Sequence, residues 1–389
     1  MRKWQLLSSD EVSRTHRQID LPTKDERKGS TLVLGLLLSV GLIGLTAISM
    51  DLGYIRVAQT ELRRTADAVA MAGCWELLDQ YRSSGGDQYS HEVIYSVCNE
   101  IAQQNKVGPD YVSLGSNDLQ IGRFQPDGTW SQGPEVTANA VRVVLRRDST
   151  INGELPLFFG ILTGRNTQQL SISATAAMYC SIGGFYLPNS EDSLNILPIA
   201  LDLETWNAAI DGQTSDQYQF SNGTVQQGSD GAFEANLYPQ GTGSPGNRGT
   251  VDIGSANNST NDIARQVLHG VSRQDLLDLG QPLEFDENGV LELNGDTGIS
   301  AGIKDELASI IGKVRIIPIY SAVSGNGNNA MFTIVRWEGV RILDVKLTGR
   351  KNHKRLIVQP QKVLARNAMI NQTQSQESSH LFTPVLLVE

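Results

Sequence analysis

The chain has 389 residues, 40% of them hydrophobic, with a net charge of −10 and three cysteines. At about 100–200 residues per domain, this length suggests two folded units beyond any membrane segment. No basic stripe interleaved with aromatics accompanies the charge, which excludes a nucleic-acid partner. The charge is unevenly placed: residues 185–310 hold nineteen acids against four Lys and Arg, and residues 336–366 hold nine Lys and Arg against two acids. Such a split serves complementary stacking of subunits, docking onto an anionic envelope polymer, or no more than a solvated face.

Residues 1–28 are polar and mixed in charge, and read as a short cytoplasmic tail. The run from Thr31 to Met50 then contains no charge and no proline. At about 1.5 Å per helical residue it matches the ~30 Å hydrocarbon core of a bilayer, so residues 29–50 are expected to form one membrane span. A cleaved secretory signal competes, but its apolar region is only about 7–15 residues long. A buried core helix competes too, but would show a polar face. Seven Lys and Arg precede the span within residues 1–30, against three (Arg56, Arg63, Arg64) in the twenty residues after Met50. The positive-inside bias places the N-terminus in the cytoplasm, the span in the cytoplasmic (inner) membrane and the rest outside. Gly35 and Ser39, four apart, would let another helix approach closely.

The helical period continues past Asp51: Ile55, Ala58, Leu62, Ala66, Val69 and Gly73 recur at steps of three and four and line up one small-residue face. An unbroken helix to about Tyr81 would span ~75 Å. Ser83-Ser84-Gly85-Gly86 is expected to end it, and a second helix over 90–104 to follow before Gly108-Pro109. Cys74 and Cys98 fall in these two neighbouring helices and are the favoured disulfide pair, with Cys180 left over and three free thiols as the alternative. Strand character marks Leu119–Phe124, Ala140–Arg146 and Leu170–Met178; the middle segment alternates strictly, with Arg142 and Arg146 facing out. Leu155-Pro156-Leu157-Phe158-Phe159 reads as a short apolar helix or plug between strands.

Several of these blocks carry a resemblance. Lys28-Gly29, the span closing in Met50-Asp51-Leu52-Gly53-Tyr54, and the helix with Leu62 and Thr65-Ala66-Asp67-Ala68-Val69-Ala70-Met71-Ala72-Gly73 resemble the N-terminal region of TadE/TadG-like Flp (Tad) pilus assembly proteins. The blocks Ala140–Val143, Leu155–Phe159 and Ala174-Thr175-Ala176 are similar too, so the likeness covers about residues 28–180. Leu34 stands where a prepilin cleaved after Gly29 would carry glutamate, which argues against polymerisation as a major pilin. No Asp-x-Ser-x-Ser metal motif of a von Willebrand A domain is present. The resemblance implies a membrane-anchored, non-enzymatic minor subunit or assembly factor, with a pilin-like α+β domain over 51–182 and other pilus or secretion-apparatus subunits as partners.

Residues 183–389 are expected to form a second α+β domain with an antiparallel sheet. Leu194–Leu203 reads as a strand leading into a helix over 204–210, and 211–250 as hairpins and exposed loop. Helices start at Thr260-Asn261-Asp262 and, with a capping-box pattern, at Ser272-Arg273-Gln274-Asp275; they stop at Gly270 and Gly280. Phe285–Val290 reads as a hairpin turn and 300–311 as a helix. Val314–Ala322, Met331–Trp337 and Val340–Leu347 alternate as a three-strand meander joined at 325–329 and at Glu338-Gly339, with Leu356–Val363 as a fourth strand.

Candidate chemistry is sparse, so no catalytic, cofactor or metal residue is assigned. Asp296-Thr297-Gly298 is the tripeptide of aspartic proteases, but that chemistry needs two such aspartates sharing a proton, and a helix-start turn is the simpler reading. Asp286, Asn288 and Gly289 hint at a calcium loop that Val290 interrupts. Gly325–Asn329 lacks the Gly-Lys-Ser/Thr of a phosphate cradle. His16, His91, His269, His353 and His380 sit apart, none at a ligand spacing, and the sequons at Asn257-Asn258-Ser259-Thr260 mean little in a bacterial cell. A membrane-tethered adhesive module, holding a glycan or wall polymer through its C-terminal domain, is the alternative function.

Overall fold

The structure, a computed structural model, describes residues 26–84, 88–133, 137–238, 249–254, 259–325, 327–350, 353–371, 378 and 380–388. The cytoplasmic tail expected for 1–28 lies outside these residues as far as Asp25, as do His16, Gly85, Gly86, Asn257, Asn258 and Asn326. The fold is α+β, opening on a long apolar helix and continuing into largely antiparallel sheet. Two compact units are present, one made of Met1–Val57 with Leu155–Gln168 and the other of Ala58–Glu154 with Gln169–Glu389.

Helix α1 (Glu26–Ser84) is a single run of 59 residues, and it contributes to both units. In the larger unit its stripe is the buried face: Ala58, Leu62, Ala66, Val69, Ala70, Leu77, Leu78 and Tyr81 are fully buried. Small side chains let the partners come close. A Cβ added at Gly73 would stand 2.6 Å from Cys98 Sγ and 3.0 Å from Val141 Cγ1. Those neighbours lie on helix α2 (His91–Gln103) and on the sheet described next. Helix α2 begins where Ser90 caps it, the hydroxyl accepting from the Val93 N–H.

The sheet is antiparallel, from β1 (Leu119–Phe124), β2 (Trp130–Ser131) and β3 (Ala140–Arg147). The chain then leaves for a small hairpin, β4 (Leu155–Pro156), α3 (Gly160–Thr163) and β5 (Thr167–Gln168), and returns as β6 (Leu170–Ala177) beside β3. Arg142 and Arg146 are partly exposed as their alternation requires: Arg142 lies over the Trp130 ring and Arg146 pairs with Asp118 and Asp148. Arg147, not anticipated, is buried and donates to the Val107 and Gly153 carbonyls and to Asp110.

The second sheet uses β7 (Ile199–Asp202), followed by α4 (Leu203–Ile210), and β8 (Gly249–Val251). Helices α5 (Thr260–His269) and α6 (Arg273–Leu279) come next, then β9 (Leu291–Asp296), α7 (Lys304–Ser309), β10 (Val314–Ser324), β11 (Ala330–Lys346) and β12 (Arg355–Pro360). The pairing β11-β9-β8-β7-β10 returns to β11, so five strands close on themselves; β12 extends from the second half of β11. Side chains alternate between two cores: Ala200, Ile316, Tyr320 and Phe332 face one, while Ile199, Leu201, Ile317 and Ile319 face the other beside Trp206 of α4, Val267 of α5 and Leu307 of α7. The capping box at Ser272 and Asp275 forms as its spacing indicates.

Several expectations change. Leu155–Phe159 is not a helix but opens the hairpin with β4, and the helix expected over 300–311 is a 3-10 turn at 301–303 followed by α7. Glu338-Gly339 is not a turn: β11 runs through it, because Glu338 is fully buried among polar partners and Gly339 passes too close to the Gln361 and His380 carbonyls for a Cβ. Phe285–Val290 turns, with Gly289 N–H donating to Asp286 O, but the strands flanking it pair elsewhere, Leu283 with Phe185 and β9 with β8 and β11. The strand expected at 194–203 divides into Ser193–Leu194 and β7, with Pro198 between. Cys74 and Cys98 are both buried free thiols, donating to separate carbonyls, Asn139 O at 3.8 Å and Val69 O at 3.6 Å.

The C-terminus closes the first sheet. Strand β13 (Leu386–Leu387) adds antiparallel to β6, pairing Leu386 with Ala177 and Leu387 with Ala176. Just before it, the backbone of Thr383 donates to Tyr179 O, and the Tyr179 N–H donates to Thr383 Oγ1.

Candidate functional site

The part of α1 from Thr31 to Met50 is apolar and exposed on nearly every side: Leu32 is 72% exposed, and Leu36, Leu37, Leu42, Ile43 and Leu45 are all exposed. A core helix of a water-soluble protein would be covered, so that reading does not survive. The hydroxyls within the run turn inward on the helix. Ser39 donates to Gly35 O, Thr46 to Leu42 O and Ser49 to Leu45 O, which satisfies them without water, as a hydrocarbon medium requires. By length and composition this helix can cross a membrane.

Asp51, the first charged residue after the run, is buried. Its carboxylate accepts from the Phe158 N–H at 2.9 Å and from the Phe159 N–H at 3.0 Å, and one turn on, the Tyr54 ring centroid lies 4.9 Å from that of Phe158. Charge-assisted bonds of this kind contribute about 1.5–3 kcal/mol each. The sequence marks Asp51 only as part of a motif. Its partners, more than a hundred residues away, carry no local signal.

The other singled-out residues are not brought together. Asp296 ends β9, opposite Thr250, and Thr297 Oγ1 accepts from the Gly327 N–H, so the tripeptide forms a turn leading into a 3-10 turn at 301–303. Asp286 Oδ1 accepts from the Asn288 and Val290 N–H groups, a self-contained turn whose carboxyl is held low by the Val290 backbone bond. Gly325 and residues 327–329 lie between β10 and β11, with Asn326 outside the described residues. His91 opens α2, His269 closes α5 and His353 stands before β12, while His380 lies edge-on to Trp206 at 5.6 Å. Among the described residues no group of three or more His, Cys, Asp or Glu could hold a metal ion.

Sequence reading also missed a buried polar cluster around Glu338. Its Oε2 accepts from the Ser378 hydroxyl at 2.8 Å and the His380 N–H at 3.0 Å, and Oε1 lies 3.5 Å from Arg336 Nη1. This arrangement fixes chain segments to each other.

A continuous helix, apolar and uncovered in its first part and packed on an antiparallel sheet in its second, defines an α+β protein with, among the described residues, one helix long and apolar enough to cross a membrane. Residues 61–176, under a third of the chain, match the model of the Tad-like Flp pilus-assembly family. The matched segment comprises α1 from Glu61 on, α2, and strands β1 to β6 but for the last residue of β6. No curated protein and no solved structure matches the chain.

Proposed function

We propose that this chain is a membrane-anchored, non-enzymatic component of a Tad/Flp-type pilus or related surface apparatus, a minor subunit or assembly factor of the TadE/TadG-like kind. The carrying observation is the family match over 61–176, which falls on the helix and sheet that follow the apolar run. In this reading Thr31–Met50 is a single pass of the cytoplasmic membrane with the N-terminus inside, and residues 51–389 lie outside. Residues 183–389 act as a second module on their own pair of cores and present surfaces to other subunits or to an envelope polymer. Pull-down of the full chain from detergent extracts tests this. Recovery of the pilus secretion ATPase or its membrane platform protein is expected, and loss of surface pili on deleting the gene; recovery of neither, with pili intact, overturns it.

The adhesive alternative draws on the basic stretch 336–366, where nine Lys and Arg stand against two acids, as docking onto an anionic polymer requires. It requires normal pili in the deletion strain together with lost surface attachment.

A further inference from the structure

The hairpin of residues 155–168 carries no charge from Leu155 to Gly164. Its tip turns large apolar side chains outward: Phe158 is 68% exposed, Ile161 82% and Leu162 60%. Leaving such side chains in water forgoes roughly 1.5–3 kcal/mol each, so a rigid tip that shows three together needs an apolar partner.

The tip is rigid. Leu157 N–H donates to Asn166 O, Leu162 N–H to Phe159 O and Arg165 N–H to Gly160 O, while Asp51 takes the N–H groups of Phe158 and Phe159. Gly160 approaches the Arg165 carbonyl too closely for any side chain, and Gly164 closes the turn in the left-handed region at φ 73°. Each of these backbone donors is satisfied inside the protein. A loop in water has no such need, whereas one entering lipid does.

Helix phase says which way the hairpin lies. Gly44, Ala47, Asp51 and Tyr54, at steps of three, four and three, form one stripe of α1. Along it Ala47 is 4% exposed, although Ile43, Leu45 and Ile48 on either side are exposed, and the space beside Gly44 is open. From Asp51 to Ala47 the covered stripe runs back about 6 Å into the apolar run. Amphipathic segments settle about 5–10 Å into the headgroup and acyl boundary, the same depth.

We propose that residues 155–168 form a membrane foot. Phe158, Phe159, Ile161 and Leu162 enter the leaflet from which α1 emerges, Arg165 sits among the headgroups, and Asp51 bolts the foot to the helix. The occupant of this apolar surface is lipid, because the surface is continuous with the exposed face of the run Thr31–Met50. A lone span is free to tilt and to spin about its axis; a second insertion point on one face fixes both. The proposal rests on reading Thr31–Met50 as a membrane span.

The test uses the full chain with Cys180→Ser in vesicles of phosphatidylethanolamine and phosphatidylglycerol, carrying a spin label at Ile161→Cys, at Leu162→Cys or, as the reference for the span, at Leu42→Cys. Lipid-soluble oxygen and a water-soluble nickel chelate are compared as relaxing agents. Oxygen is expected to dominate at all three sites. A label at Leu42 in lipid with those at Ile161 and Leu162 open to nickel overturns the foot and leaves the span standing. Shielding of both tip labels from both agents means a protein partner or second copy covers the tip, which also overturns it. A Leu42 label open to nickel removes the span and the foot together. Two tip positions are used because neither side chain packs inside the protein, so one perturbed hairpin does not decide the result.

Discussion

Ser378 and Glu338, forty residues apart, are joined by a 2.8 Å hydrogen bond between a buried hydroxyl and a fully buried carboxylate. The same carboxylate oxygen takes the His380 N–H, so the middle of β11 holds the chain that leads to β13. Removing the carboxylate deprives the hydroxyl, the amide and Arg336 of this acceptor at once. Glu338→Ala is expected to cost about 3–5 kcal/mol, in the range for breaking a buried ionic group's partnerships. Glu338→Gln keeps an acceptor of the same shape and is expected to cost less. Urea unfolding of the full chain in detergent micelles, followed by fluorescence, checks the order.

Strand β13 covers an edge of the first sheet. The Val388 N–H donates to Thr175 O at 2.9 Å, and Leu386 and Leu387 pair with Ala177 and Ala176. Val388→Pro removes that donor, and a proline disrupts the short pairing. The expected outcome is faster amide exchange along 174–177, with exchange in β11 unchanged. An uncovered β6 edge is also a template for another strand, so the variant is expected to self-associate more readily. Exchange read by mass spectrometry, with sedimentation on the same samples, measures both effects.

Much of this architecture is legible in the sequence because it is local. AVRVVLR alternates and becomes β3 in register with β6 along its whole length, and the Ser-x-x-Asp spacing at Ser272 becomes a capping box. The α1 stripe is legible too, since residues at steps of three and four fall on one face of a helix. What was illegible depends on distant partners. Glu338-Gly339 has the composition of a turn, and only Ser378 and His380 turn it into the middle of a strand. Asp51 stands out as a charge after an apolar run, but its role depends on amides beyond residue 150. The pairing of β13 with β6 joins residues about two hundred apart, and no short-range pattern encodes it.

Asp275 is expected to contribute to the protein's acid sensitivity. Burial alone would raise its carboxyl, but the Arg265 fork at 2.5 and 3.1 Å, with the Ser272 N–H and hydroxyl, outweighs burial and holds it below the usual carboxylate range. A folded value below the unfolded one of about 3.9 contributes stability above that pH, and loses it as pH falls through the folded value. Asp275→Asn is therefore expected to reduce stability near neutral pH, and to narrow the gap between urea midpoints at about pH 6 and about pH 3. An unchanged gap would mean that other carboxylates carry the acid sensitivity.

Cys74 and Cys98 are expected to stay reduced and inert while the fold is intact. Burial, and then the neighbouring Cys98, pushes the Cys74 thiol well above the ordinary range; burial, and then the charge of Glu76, pushes Cys98 up to about 12. Only the thiolate attacks, and at about pH 8 a group titrating near 12 is ~10⁻⁴ ionised. Each thiol also donates to its own carbonyl, and joining them would give up both bonds beneath a helix contact that only glycine fits at position 73. Alkylation of the native chain should therefore modify Cys180, which is partly exposed, and spare the other two until denaturant is added. Intact mass before and after reduction checks the same point: no gain of two hydrogens is expected, and a gain would establish a bridge between the two helices.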